Sequence, residues 1–160
     1  MSKLSSILTL LIQVFITSIV LFIVYIIYAL NDVDEADMVN GIAFIVFQPL
    51  FGFILTSITI AACLLIGLPI RIVKRLKQWW YAKPLLPILG VFTGLCLLVL
   101  AFLPAWTEIQ QVIIHGEPTQ KQVPNAGISL AGWFITAFSL LHFYPQSLLN
   151  LFRCRKVASA

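Results

Sequence analysis

Four stretches of the chain carry no charged residue: 4–31, 38–70, 84–107 and 122–152. An α-helix needs ~20 mostly apolar residues to cross ~30 Å of hydrocarbon, and each stretch reaches that length. A backbone in lipid must satisfy its own hydrogen bonds, which leaves helices or closed barrel strands. These runs are continuously apolar and lack the alternation of lumen-facing and lipid-facing positions that barrel strands show. The pattern predicts an all-α integral membrane protein. Its single domain, residues 1–160, would be one bundle of four transmembrane helices near 5–30, 41–69, 84–104 and 126–150.

Composition supports this. Of 160 residues, 61% are hydrophobic and 10% charged. Soluble chains carry about 45–50% and about 25%. A chain this short cannot hide so much apolar surface inside a water-soluble globule, and it is far too apolar for disorder. The first apolar run, behind Lys3, resembles a secretory signal. It exceeds the ~7–15 residues of a signal core and has no small-residue cleavage site, so it is expected to be retained.

The charges set the expected orientation. Lys3, Arg71, Lys74, Arg75, Lys77, Lys83, Arg153, Arg155 and Lys156 fall at the termini and in the second connection. All six acids, Asp32, Asp34, Glu35, Asp37, Glu108 and Glu117, fall in the first and third connections, with Lys121. The positive-inside rule then places both termini in the cytoplasm. A bacterial inner membrane is the expected location. Tyr25, Tyr28, Trp79, Trp80, Tyr81, Trp106 and Trp133 are expected near headgroup level.

The outer connections span 31–40 and 105–125, and the basic cytoplasmic connection spans 70–83. The acidic string at 32–37 lacks the turn-making glycine of a calcium loop and reads as a solvated cap. In the basic connection, Arg71, Lys74, Arg75 and Gln78 recur at helical spacing. Ile72, Leu76, Trp79 and Trp80 form a second face. This predicts an amphipathic helix in the inner interface, or an extension of the second span. Arg71, Lys74, Arg75, Lys77, Trp79 and Trp80 are the candidate surface for a cytoplasmic protein or anionic lipid, with simple positive-inside anchoring as the alternative. A patch this close to the membrane does not suggest direct nucleic acid binding.

The third connection reads as a small extracytoplasmic hairpin. Residues 111–114 and 119–123 would flank a turn at Gly116–Pro118. His115 and Glu117 are two ligands, too few for a metal site. Cys154 sits in a basic tail where palmitoylation is conceivable, but a stop signal is the plainer reading.

No Asp, Glu, Lys or Arg falls inside a span, which argues against proton relays, voltage sensing and ion coupling. Cys63 and Cys96 are single and read as apolar fillers. No catalytic motif occurs, so no enzyme activity, metal or cofactor is expected. Small and polar residues recur on helix faces. Ser5, Thr9, Gln13 and Thr17 line the first; Gln48, Gly52, Thr56, Thr59 and Cys63 the second; Ser129, Gly132, Thr136 and Ser139 the fourth. The third holds Gly90 and Gly94 in a GxxxG spacing with Ala101. Pro49 should bend the second helix, with Gln48 capping the freed carbonyl. His142, at a helix end, is a residue type that can titrate near neutral pH.

Close packing at Gly90, Gly94, Gly52 and Gly132 is the plain reading, with interhelical hydrogen bonds worth ~0.6 kcal/mol each. The sharper reading makes Gln13, Gln48, Thr56 and Thr136 the lining of a path in an oligomer. Self-association is expected through the Gly90–Gly94 face. The sequence therefore points to a non-enzymatic, homo-oligomeric scaffold, anchor or sensor subunit that recruits a cytoplasmic partner. A bacterial envelope-stress or phage-defence system is one setting for such a subunit. A channel or small-solute transporter and an accessory subunit of a larger complex are the alternatives.

Overall fold

The computed structural model describes residues 3–31, 38–114 and 117–144. In chain order they form α1 (Lys3–Asn31), α2 (Met38–Ile72), α3 (Lys74–Ala82), α4 (Leu85–Leu100), β1 (Glu108–Ile114), β2 (Glu117–Val123) and α5 (Ala126–Leu141). The structure is mostly helical, with five helices among the described residues. Two of them, α1 and α2, are long and apolar enough to cross a membrane. A third such segment exists if α3 and α4, bent by 74° at their junction, are counted together.

Two breaks separate α2, α3 and α4, and proline chemistry explains the second. Pro69 is accommodated inside α2, which runs to Ile72. Val73 then turns to an extended ψ of 110°. Its N–H still bonds Pro69 O and its carbonyl accepts from Lys77 N–H, so it closes one helix and opens the next. The second break is at Lys83 (φ −122°, ψ 64°), immediately before Pro84. The ring of a proline disfavours helical backbone at the residue ahead of it. Pro84 and Pro87 sit where a first turn tolerates them.

Two expected helices are shorter than the apolar runs that suggested them. The third ends at Leu100 rather than 104, in turns that lead to Pro104. The fourth ends at Leu141 rather than 150, and residues 145–150 lie outside the described ones. His142 has left the helix (φ −106°, ψ 16°), three residues before Pro145. At 1.5 Å per residue, 16 residues make about 24 Å. Unbroken apolar character set the expected lengths, but the helices end inside it, α4 four residues before Pro104 and α5 at Leu141.

Helix α5 is the element that touches α1, α2 and α4 alike. Leu21, Ile60, Cys63, Leu98, Trp133, Ala137 and Leu141 bury one another around it. The outward faces stay apolar: Phe15, Phe53, Leu65 and Phe92 are exposed. Tyr28, Tyr25 and Trp133 do not form an exposed aromatic belt. Tyr28 OH donates to Leu98 O and Ser129 Oγ. Tyr25 OH donates to Gln48 Oε1. Trp133 Nε1–H donates to Thr59 Oγ1 at 2.9 Å. Their polar tips find partners on neighbouring helices.

The α4–α5 contact is the most extensive. A Cβ on Gly94 would lie 2.8 Å from Gly132 O, and one on Gly132 would lie 2.8 Å from Gly94 O. Gly90 faces Ser139, and Gly52 faces the Tyr25 ring. The GxxxG face is therefore occupied within the protomer. The expected self-association cannot use it, and an oligomer would need another surface. Small residues admit a neighbouring helix whether or not it belongs to the same chain.

The hairpin pairs antiparallel from Glu108↔Val123 to Ile114↔Glu117. His115 and Gly116 lie outside the described residues, and Pro118, expected with Gly116 in the turn, lies in β2 opposite Ile113. A two-stranded ribbon has only edge strands, where proline is allowed. Asn125 anchors its base. The side chain caps α5 by accepting from Ile128 N–H and donates to Glu108 Oε1 at 2.7 Å.

Gly94→Ala should destabilise more than Gly90→Ala. Backbone atoms block the first Cβ, whereas a rotatable Ser139 hydroxyl meets the second. Thermal unfolding in detergent should show a loss of about 1–3 kcal/mol for Gly94→Ala, the usual cost of overpacking.

Candidate functional site

The last carbonyls of a helix have no partner within it. At the end of α5 they are met by side chains from three other helices. Arg71, at the end of α2, donates from Nη2 to Leu141 O at 2.8 Å. Trp80, on α3, donates from Nε1 to His142 O at 2.8 Å. Gln13, on α1, donates from Nε2 to Phe143 O. The Gln13 Oε1 accepts from Arg71 Nη2 at 3.2 Å, joining two of the three caps. A guanidinium there also opposes the partial negative charge of the helix C-terminus.

His142 is completely buried in this junction. Its ring stacks on Phe138, with centroids 4.3 Å apart, and Nδ1 lies 2.9 Å from Phe138 O. The imidazole occupies space beside Gly67 that any Cβ would fill. Trp80 meets Phe138 edge-on, and Tyr81 stacks on Tyr144 at 4.4 Å.

This arrangement redistributes the expected basic surface. Arg71 turns inward and is only half-exposed. Lys77, Trp80 and Tyr81 also face the bundle, each half-buried. Lys74, Arg75 and Gln78 remain exposed on a second arc, and Leu76 and Trp79 on a third. Trp79 and Trp80, expected on one apolar face, therefore separate; Lys83 Nζ sits 4.7 Å from the Trp79 ring centroid. Helix α3 has three faces because one of them must cover the end of α5. Arg71 carried a signal of this in its neighbours, Pro69, Ile70, Ile72 and Val73, which make a poor setting for a solvated cation.

The four residues expected to line a path do not share one. Gln13 caps α5, and Gln48 meets Tyr25 near the other end of the bundle. Thr136 donates to Gly132 O within its own helix. Thr56 is buried, with no partner for its hydroxyl among the described residues. Helical spacing aligned them on faces, and packing turned those faces toward protein.

Two cavities among the described residues bear on these groups. One, of about 290 Å³, lies among Tyr28, Ile58, Thr59, Leu130 and Trp133. The hydroxyl and indole groups named there are already engaged between helices. The other, of about 230 Å³, lies at the capped end of α5; its wall is mostly apolar but carries the polar and basic groups of Gln13, Arg71, Lys77, Tyr81 and Tyr144. Among the described residues no group of three His, Cys, Asp or Glu is placed to hold a metal ion. Tyr81 and Tyr144 are residues that spacing alone did not single out.

No protein-family model matches the chain, and neither a curated protein nor a solved structure matches it.

Arg71→Met should destabilise the fold, whereas Lys74→Met and Arg75→Met should stay within about 0.5 kcal/mol of the parent. A hydrogen bond to a charged group contributes about 1.5–3 kcal/mol, and its loss leaves Leu141 O unpaired. Trp80→Phe should cost about 1–3 kcal/mol by stranding His142 O. Thermal or denaturant unfolding in detergent compares all four variants.

Proposed function

We propose that the chain is a four-pass, non-enzymatic membrane anchor that presents α3 to a cytoplasmic partner of acidic character. In this reading α1, α2, α4 and α5 cross the bilayer and both termini face the cytoplasm. The hairpin lies outside. The lipid-facing surface is the exposed apolar side of the helices, on Phe15, Phe53, Leu65 and Phe92. The shorter α4 and α5 are accommodated by flanking residues or local thinning of the bilayer.

The observation that carries the reading is the three-way division of α3. One arc is held against the end of α5 through Trp80, so the helix is fixed. Leu76 and Trp79 are left exposed to enter the interface, and Lys74 and Arg75 are left exposed to meet a partner. A pre-positioned surface loses less freedom on binding than a flexible tail would. Asp and Glu are confined to the opposite connections, so this surface has no internal competitor in the proposed topology. The channel reading has weaker support, because Gln13, Gln48 and Thr136 spend their polar groups on contacts within the bundle.

A reporter fused to the tail should be cytoplasmic, and one inserted after Glu117 external. The reverse pattern would overturn the topology. With topology intact, Lys74→Gln combined with Arg75→Gln should reduce the main co-purifying cytoplasmic protein about five- to thirtyfold, at roughly 0.5–1 kcal/mol per removed charge. The deficit relative to the parent should shrink at high salt, which screens the charges the parent still carries. Unchanged recovery, by quantitative mass spectrometry at low and high salt, would rule out recruitment through α3. Arg71 is left intact in this test because its replacement would disturb α5.

A further inference from the structure

The cavity at the capped end of α5 holds two cations and no carboxylate. Arg71 enters from α2 and Lys77 from α3; Ser6, Thr9, Tyr81 and Tyr144 add hydroxyl groups, the Gln13 amide is engaged with Phe143 and Arg71, and none of the described residues lining it is acidic. All six acids of the chain lie in the first and third connections. Glu108, whose side chain is described, is bonded to Asn125 at the base of the hairpin. Among the described residues, the positive charge at the cavity faces no carboxylate, only the partial charge of the α5 carbonyls.

Arg71 is incompletely used. Its Nη2 serves Leu141 O and Gln13 Oε1. Its Nε–H is buried and has no hydrogen-bond partner among the described residues. Buried donors are nearly always satisfied, and this one lies behind the cavity wall, closed to solvent as the side chain stands. A guanidinium already fixed by two bonds loses little further freedom when it binds an oxyanion. Lys77 adds a second, mobile charge; its Nζ lies 5.9 Å from the Tyr81 ring centroid.

We propose that this cavity binds a phosphate ester. A tetrahedral phosphate offers several strong acceptors and enough charge to satisfy both cations, and its oxygens can also accept from the tyrosine and serine hydroxyls. At about 230 Å³ the cavity has room for that group. Ile7 and Leu10 continue its wall along α1, and Ile7 is exposed on the outer face of that helix. An ester with an apolar chain could run out along this wall. The same chemistry is available from a phospholipid headgroup or from a free phosphate, and the site faces the cytoplasm only in the topology proposed above.

The test uses the purified full-length chain in nanodiscs, where both membrane faces are open to solution, so binding can be measured whichever way the chain inserts. One arm adds phosphatidic acid to phosphatidylcholine discs and counts retained lipid by native mass spectrometry. The other titrates inorganic phosphate into pure phosphatidylcholine discs by calorimetry. Saturable binding of one equivalent is expected in at least one arm. Retention of phosphatidic acid without a phosphate isotherm identifies the lipid as the source, and a phosphate isotherm identifies the free ion. Lys77→Gln should weaken binding about fivefold or more, from roughly 1 kcal/mol per basic residue. Lys74→Gln, on the exposed arc, should change it less than about twofold. Ser6→Phe, which fills the cavity without altering charge, should abolish it and provides a second test if Lys77→Gln unfolds. No saturable binding in either arm would overturn the proposal. So would equal losses for Lys77→Gln and Lys74→Gln, or full binding by a folded Ser6→Phe protein. Labelling of Lys74→Cys from outside intact cells would overturn the topology alone and leave the binding result standing.

Discussion

A helix that ends in an apolar setting must dispose of its last carbonyls, and α5 meets that constraint with groups from α1, α2 and α3. Leu141, His142 and Phe143 each present an oxygen, and Arg71, Trp80 and Gln13 each present a donor. Leaving one such oxygen buried and unpaired costs on the order of 1–3 kcal/mol. The position of α3, the inward turn of Arg71 and the burial of Gln13 all follow from this. The cavity beside Arg71 is a by-product, since a guanidinium that reaches a carbonyl from the side leaves its own Nε–H without a partner.

The opposite flank of α5 is governed by close approach instead. Gly94 and Gly132 bring two backbones together, and neither position has room for a side chain. Polar side chains secure the remaining crossings. Trp133 bonds Thr59, and Tyr28 bonds Ser129 and Leu98 O. Helix α5 is thus fixed by glycine contact on one side, by hydrogen bonds along its length and by capping at its end.

Much of this was legible in the residues. Charge-free runs located the helices, and the small-residue spacing at Gly90 and Gly94 marked a close contact. The hairpin followed from residues 111–123, although its register moved Pro118 into a strand. Helix lengths were not legible from hydropathy, because α4 ends ahead of Pro104 and α5 ends at Leu141 inside runs that remain apolar. The partners of faces were not legible either. Periodicity places Gln13, Thr56 and Thr136 on stripes but cannot tell a lumen from a neighbouring helix. Arg71 was grouped with Lys74 and Arg75 by spacing. Only the break at Val73 separates it from them and turns it toward Leu141.

The capped end of α5 also has a consequence for the order in which the chain is made. Gln13 and Phe143 are 130 positions apart, and Arg71 and Leu141 are 70 apart. Synthesis proceeds from the N-terminus, so the donors emerge long before their acceptors exist. Until α5 arrives, the Gln13 amide on α1 and the Arg71 guanidinium on α2 have each other but not the carbonyls that complete their bonding. A nascent chain stalled before residue 141 would display both groups together, which makes the last helix the step that conceals the polar signature of an unfinished protein.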